Sequence, residues 1–192
     1  MIAFIGCPRS GTKYISEVCS AANIDVGHEV KGGDGISYWQ LAVDMDLAMP
    51  ENVKYIHQVR HPLDVIGSMQ TIALKSWDFI CQHAGISFEV LDLVYTGMQA
   101  WYCWNMLSEN KAIFTYRVED IRSVWMRILD LVSAWPCPLP EISKDINTRK
   151  DQYDIVTWQD LLIRDKWLTH SIFQMARRYG YGDDFSDIGG LG

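Results

Sequence analysis

The stretch that most constrains this chain is its first thirteen residues, MIAFIGCPRSGTK. Ile2 to Ile5 is an apolar run of buried-strand length, broken at Gly6 into a small basic loop, and Tyr14 to Ala22 reads as a helix. A strand, a glycine-bearing turn and a helix N-terminus in succession make an anion site. Unpaired backbone N–H groups converge there, and the helix dipole favours negative charge by ~0.3–1 kcal/mol. Arg9 and Lys13 add two cations, and Ser10 and Thr12 add hydroxyl donors. The segment therefore reads as a phosphate cradle.

The loop of nucleotide hydrolases and kinases, G-x-x-x-x-G-K-[ST], is one comparison. Gly6 and Gly11 have its spacing, but Thr12-Lys13 stands where that motif has Lys then Ser or Thr. Lysine falls one residue late and Tyr14 follows it, so no hydroxyl stands ready to hold Mg²⁺.

The segment GCPRSGTKY instead resembles the 5′-phosphosulfate loop of sulfotransferases that use 3′-phosphoadenosine 5′-phosphosulfate, commonly PKSGTT or PRSGTT. The resemblance implies sulfuryl transfer without a metal. It assigns Pro8, Arg9, Ser10, Gly11, Thr12 and Lys13 to the donor, and Tyr14 to the aromatic position that contacts adenine. A second segment, VKYIHQVRHPLDVIGSM from Val53 to Met69, reads as a strand ending at Arg60-His61-Pro62, with a helix from Pro62 to about Leu74. Its RHPLDVIGS resembles the family's 3′-phosphate site, R-x-P-x-D-x-x-x-S. The guanidinium of Arg60 and the hydroxyl of Ser68 suit a terminal phosphate.

A third segment, KAIFTYRVEDI from Lys111 to Ile121, reads as a strand entering a helix and resembles the family's YEDL element. Val118 occupies the place of its tyrosine. Tyr116, two residues earlier and on the same strand face, is either a substitute adenine contact or a strand residue with a satisfied hydroxyl. The resemblance covers residues 1–121 through these motifs, and the family's glycine-rich 3′ loop is not recognisable.

Ala22 to Val30 reads as a short second strand ending at Gly27-His28-Glu29. Some members of the family use a glutamate near this place to deprotonate the acceptor, and others a histidine. Neighbours on a strand point to opposite faces, so at most one of the two faces the donor. Glu29 matches by its distance from the first loop and is the expected general base, with His28 as alternative base or orienting partner. Lys31-Gly32-Gly33-Asp34-Gly35 reads as a mobile loop, an acceptor-side lid or a plain connection, opening an apolar helix from Ile36 to Met49.

The 192 residues suffice for a single domain, 1–192, with a frayed glycine-rich tail from about residue 183. The start inside a strand, without a leader, and the odd count of five cysteines suggest reduced thiols and a cytoplasmic protein, similar to a soluble bacterial, archaeal or viral member of the family. Phe88 to Leu107 is the most apolar long segment, but Glu89, Asp92, Gln99 and Asn105 and a helical spacing make it a core helix, so no membrane anchor is expected. His83, His170 and the cysteines show no metal-ligand spacing. The net charge of −7 disfavours nucleic acid and other anionic polymers. A small-molecule or carbohydrate-like acceptor with a hydroxyl or an amine fits better, with Trp77, Phe79, Trp101, Tyr102 and Trp104 as candidate aromatic area or as core.

Strands interleaved with helices indicate an α/β fold, a parallel sheet flanked by helices in the architecture shared by P-loop proteins and sulfotransferases. Ser123 to Pro140 and Trp158 to Tyr179 are expected as covering helices. Two other readings stay open: a Mg-ATP-dependent small-molecule or nucleotide kinase, and a non-catalytic nucleotide-binding module.

Overall fold

The computed structural model describes residues 1–43, 49–143 and 152–182. The chain divides into two compact units, Met1–Arg60 with Leu107–Thr148, and His61–Met106 with Arg149–Gly192. The tail from residue 183 lies outside the described residues.

The first unit is built on five parallel strands: β1 (Ile2–Ile5), β2 (Val26–His28), β3 (Gly35–Ser37), β4 (Lys54–Val59) and β5 (Phe114–Arg117), in the order β2-β3-β1-β4-β5. β1 is central and buried on both faces, which is why it reads as a continuous apolar run rather than an alternating one. Ile2 and Phe4 join Ile15, Val18 and Cys19 of α1 (Thr12–Ala21) and Trp125, Ile128 and Leu129 of α5 (Ile121–Leu131). Ala3 and Ile5 join Ile36 and Leu41 on the opposite face, with Tyr55 and Ala112 packed against them. Each fully buried Ile or Phe contributes about 1.5–3 kcal/mol.

β4 is an imperfect strand by sequence, and the structure accounts for its polar members. Lys54 is exposed at the strand's start, the buried His57 has its Nδ1 3.1 Å from Thr115 Oγ1, and Gln58 is bonded on both sides as described below.

The segment after β2 departs from the sequence expectation. In place of a helix from Ile36 to Met49, the chain forms β3 and a short 3₁₀ turn, Trp39–Ala42, with residues 44–48 outside the described set. Ile36 is paired with both Ala3 and Gly27 inside the sheet, so its apolar neighbourhood reflects two-sided burial and not a helix face. Parallel neighbours normally need a crossover of a dozen residues or more. The short return from β2 to β3 closes instead because Glu29 adopts a left-handed φ of 60° and Asp25 gathers the chain. The Asp25 carbonyl accepts from Asp34 N (3.0 Å) and Gly35 N (3.2 Å), its carboxylate from Gly33 N (2.6 Å), and its own N–H donates to Asp34 Oδ2 (2.8 Å). The glycine-rich stretch is a pinned connection.

The second unit carries α2 (Pro62–Met69), α3 (Leu74–Ala84), α6 (Trp158–Arg164), α7 (Lys166–Arg178) and most of α4 (Leu93–Lys111). α2 stops short of Leu74 because Thr71 folds back, its N–H and hydroxyl both donating to the Ser68 carbonyl. α4 begins after Phe88, where the Asp92 carboxylate accepts from Tyr95 N at 3.0 Å. The helical pattern from Trp158 to Tyr179 is two helices, broken at an extended Asp165 whose carboxylate caps α7 through Leu168 N. α6 opens on a capping box between Thr157 and Asp160. Of the covering helix expected over Ser123 to Pro140, α5 ends at Leu131. Among the described residues no helix is long and apolar enough to cross a membrane.

Candidate anion-binding site

In an all-parallel sheet the strands deliver their carboxyl ends to one edge, and ligands bind there, at the point where the strand order reverses. Here that point lies between β1 and β4. β1 leaves the sheet into the loop Gly6–Gly11. Gly6 is required by close approach, since a Cβ on it would stand 2.2 Å from the Gln58 carbonyl oxygen and 2.7 Å from Ser10 Oγ. The loop turns through a Ser10 N–H bond to the Cys7 carbonyl at 3.0 Å. Arg9 (φ 71°) and Gly11 (φ 93°) are both left-handed. That conformation costs a non-glycine residue energy and recurs where successive N–H groups turn to one concave side.

α1 follows, with no side chain capping its first turn. Its leading N–H groups are thus left for water or a ligand. The Ser10 side chain is fully buried, and its Oγ has no hydrogen-bond partner. An uncapped helix start, two left-handed loop residues, a cation at Arg9 and an orphaned hydroxyl together fit an anionic group such as a phosphate or a phosphosulfate. Lys13 is exposed on the first turn. Tyr14 is half-buried against the core, and burial pushes its phenol above the ordinary value.

Behind the loop, Gln58 Nε2 donates to the Ser10 carbonyl at 2.6 Å, and the Tyr116 hydroxyl donates to Gln58 Oε1. Gln58 is fully buried and Tyr116 nearly so, and burial holds the Tyr116 phenol well above its ordinary pKa. Of the two sequence readings of Tyr116, its hydroxyl has the satisfied bond of the second. Val118 lies beside the loop, its Cγ2 3.2 Å from where a Cβ on Gly11 would be.

At the end of β2, His28 Nε2 lies 3.4 Å from Thr12 Oγ1, and the Thr12 carbonyl accepts from Ser37 Oγ at 2.7 Å. The His28 imidazole is pushed below its ordinary 6.5, chiefly by burial, which the nearby Lys13 reinforces and Glu29 and Glu17 oppose. Glu29 is exposed, and its backbone N–H donates to the Ser37 carbonyl at 3.1 Å. Arg60, half-buried, immediately follows β4.

The fold thus collects Pro8 to Tyr14, His28, Glu29 and Arg60 at the carboxyl edge of one sheet. Ser68 belongs to the second unit, where it is nearly buried on α2. Sequence reasoning treated Gln58 only as a polar blemish in a strand and did not single out Ser37. The available signal was period-two alternation, which puts Gln58 on the same face as Ile56, where an uncharged amide must find partners.

The whole chain can be set beside known proteins. It is similar to the solved structure of a sulfotransferase domain from the curacin biosynthetic pathway, with a TM-score of 0.54 and 13% sequence identity, over 93% of this chain and 96% of that one. At that identity the likeness concerns the fold: this chain has a sulfotransferase-like α/β fold. No family model and no curated protein matches it.

Proposed function

We propose that this chain is a sulfotransferase that moves a sulfuryl group from 3′-phosphoadenosine 5′-phosphosulfate to a hydroxyl or amine of a small-molecule or carbohydrate-like acceptor, in the cytoplasm. The observation that carries the reading is the loop Gly6–Gly11, with Arg9 and Gly11 left-handed before an uncapped α1, in a sulfotransferase-like fold.

When bound, the donor would supply a sulfuryl group on a leaving phosphate, so that an acceptor–sulfur bond forms as the sulfur–oxygen bond to adenosine 3′,5′-bisphosphate breaks. Arg9, Lys13 and the loop N–H groups hold the oxygens on which charge grows, and removing one such donor typically costs ~2.7–4 kcal/mol of barrier. Thr12 adds a hydroxyl beside them. Arg60 grips the 3′-phosphate, away from the reacting atoms, and Tyr14 is the adenine contact.

The acceptor proton goes to the β2 end. Its contact with Thr12 and an imidazole that is neutral at pH 7 favour His28 as the base. Glu29, the base expected from sequence spacing, then acts as a neighbouring negative charge.

Thermal stabilisation of wild type and Arg60→Ala by adenosine 3′,5′-bisphosphate, against ATP with Mg²⁺, tests the reading. Stabilisation by the bisphosphate that is lost in Arg60→Ala supports it. A shift by ATP–Mg²⁺ alone replaces it with the kinase reading. Tight bisphosphate binding with no transfer to any screened acceptor leaves the binding-module reading.

A further inference from the structure

The loop's anion-facing amides are only useful if their peptide planes are held the right way round, and one plane is held by a device outside the loop. Gln58 Nε2 donates to the Ser10 carbonyl at 2.6 Å. A side-chain amide could in principle be turned over, presenting its oxygen instead. The Ser10 carbonyl can only accept and so disfavours this, and Tyr116 supports the same orientation, its hydroxyl donating to Gln58 Oε1. Burial pushes that phenol well above its ordinary pKa, so it is a neutral hydroxyl able to donate.

The Ser10–Gly11 peptide is trans and planar, so its C=O and N–H point in opposite directions. Fixing the Ser10 carbonyl toward Gln58 therefore fixes the Gly11 N–H away from it. Gly11 is also the position where a side chain would spoil the arrangement, since its Cβ would sit 3.0 Å from Gln58 Nε2 and its φ is 93°. Two independent observations, the bonded relay and the close approach at Gly11, converge on the same peptide.

We propose that Gln58, oriented by Tyr116, is a positioning residue that holds the Gly11 N–H as a donor to the anion bound in the Gly6–Gly11 loop. The relay Tyr116 to Gln58 to Ser10 carries orientation, not charge, and neither side chain touches the ligand. This rests on the anion-binding role given to the loop above.

The test compares wild type, Gln58→Met, Gln58→Glu and Tyr116→Phe. Affinity for adenosine 3′,5′-bisphosphate and for inorganic sulfate is measured by calorimetry, and the Gly11 amide resonance is followed by nitrogen–proton NMR. In wild type, ligand moves the Gly11 amide. Gln58→Met is expected to bind about tenfold to a hundredfold more weakly, the size of a lost hydrogen bond to a charged group, with the Gly11 response reduced. Gln58→Glu sets a carboxylate against the Ser10 carbonyl, and binding should recover on acidification, when the introduced carboxyl can donate. Unfolding of Gln58→Glu is followed at the same pH values, since a purely structural role would recover binding only in step with the folded fraction. Tyr116→Phe is expected to weaken binding less than Gln58→Met does, since the amide keeps its bond to Ser10 but loses the supporting one.

Wild-type affinity and an unchanged Gly11 response in a folded Gln58→Met overturn the proposal. Should that variant not fold, an acid-insensitive Gln58→Glu overturns it. Wild type that answers sulfate through Gly11 but ignores the bisphosphate overturns the sulfotransferase reading alone, and weaker sulfate binding by Gln58→Met then supports the positioning role. A Gly11 amide that neither anion moves overturns the positioning role itself.

Discussion

His28 Nε2 lies 3.4 Å from Thr12 Oγ1, joining the end of β2 to the first residue of the helix that follows the Gly6–Gly11 loop. Because burial lowers the His28 pKa below 6.5, the unfolded chain takes up its proton first as the pH falls. The stability associated with a neutral His28 is therefore complete above about pH 6.5 and is lost as the pH drops toward the lower folded value. Urea unfolding across this range should show that loss in wild type and a flatter profile in His28→Gln. An identical pH slope in both proteins would remove His28 from the account.

The same residue separates the two candidate bases. With His28 taking the acceptor proton, His28→Asn lowers turnover by about 10²–10⁴ and Glu29→Gln by much less. The reverse order in a steady-state assay with labelled donor would return the role to Glu29.

Arg9 and Arg60 should divide binding from turnover. Arg60→Ala is expected to weaken donor affinity chiefly, with kcat nearly kept. Arg9 sits at φ 71°, so Arg9→Asn is the better probe, because asparagine tolerates the left-handed conformation while removing the charge. It should lower kcat chiefly. Calorimetric affinity for adenosine 3′,5′-bisphosphate that is the same in wild type and Arg60→Ala would contradict the division.

Gly6→Ala places a methyl group 2.2 Å from the Gln58 carbonyl oxygen, so β1 and β4 must separate or the loop must shift. A loss of about 1–3 kcal/mol or more is expected from the overpacking, measurable by chemical unfolding. Unfolding at the wild-type midpoint would show that the two strands give way more easily than the geometry indicates.

In the second unit, Thr157→Ala removes the hydroxyl's share of the α6 capping box: the Thr157 hydroxyl accepts from Asp160 N and donates to Asp160 Oδ2, whereas the backbone N–H at 157 keeps its bond to Asp160 Oδ2. About 0.5–2 kcal/mol should be lost. Those bonds hold the Asp160 carboxyl below its ordinary range, so the cap works above that range and weakens as the carboxyl protonates in acid. Thermal melts near neutral pH and in acid should thus differ more at neutral pH, and an equal loss at both would show that the carboxylate is not the partner that matters.

Much of the site was legible because its parts are contiguous. The loop from Pro8 to Tyr14 needs one strand, one turn and one helix start, each with a local signature. What failed was the reading of Ile36 to Met49. A short apolar run buried on both faces has no period to distinguish strand from helix, and only the pairing of Ile36 with Ala3 and Gly27 decides. The helix limits failed for a different reason: Thr71, Asp92 and Asp165 end or begin helices through side-chain bonds that a hydrophobic pattern does not register.

By itself, the sequence determined that a glycine loop after an apolar strand opens a helix with Arg9 and Lys13 beside it, because those consequences follow from the chain's own covalent neighbours. The tertiary structure alone decided that Gln58 reaches the Ser10 carbonyl, that Tyr116 donates to Gln58, and that His28 meets Thr12. Each of these joins residues far apart in the chain, and their meeting depends on strand order and register, which a parallel sheet fixes only when all five strands are in place.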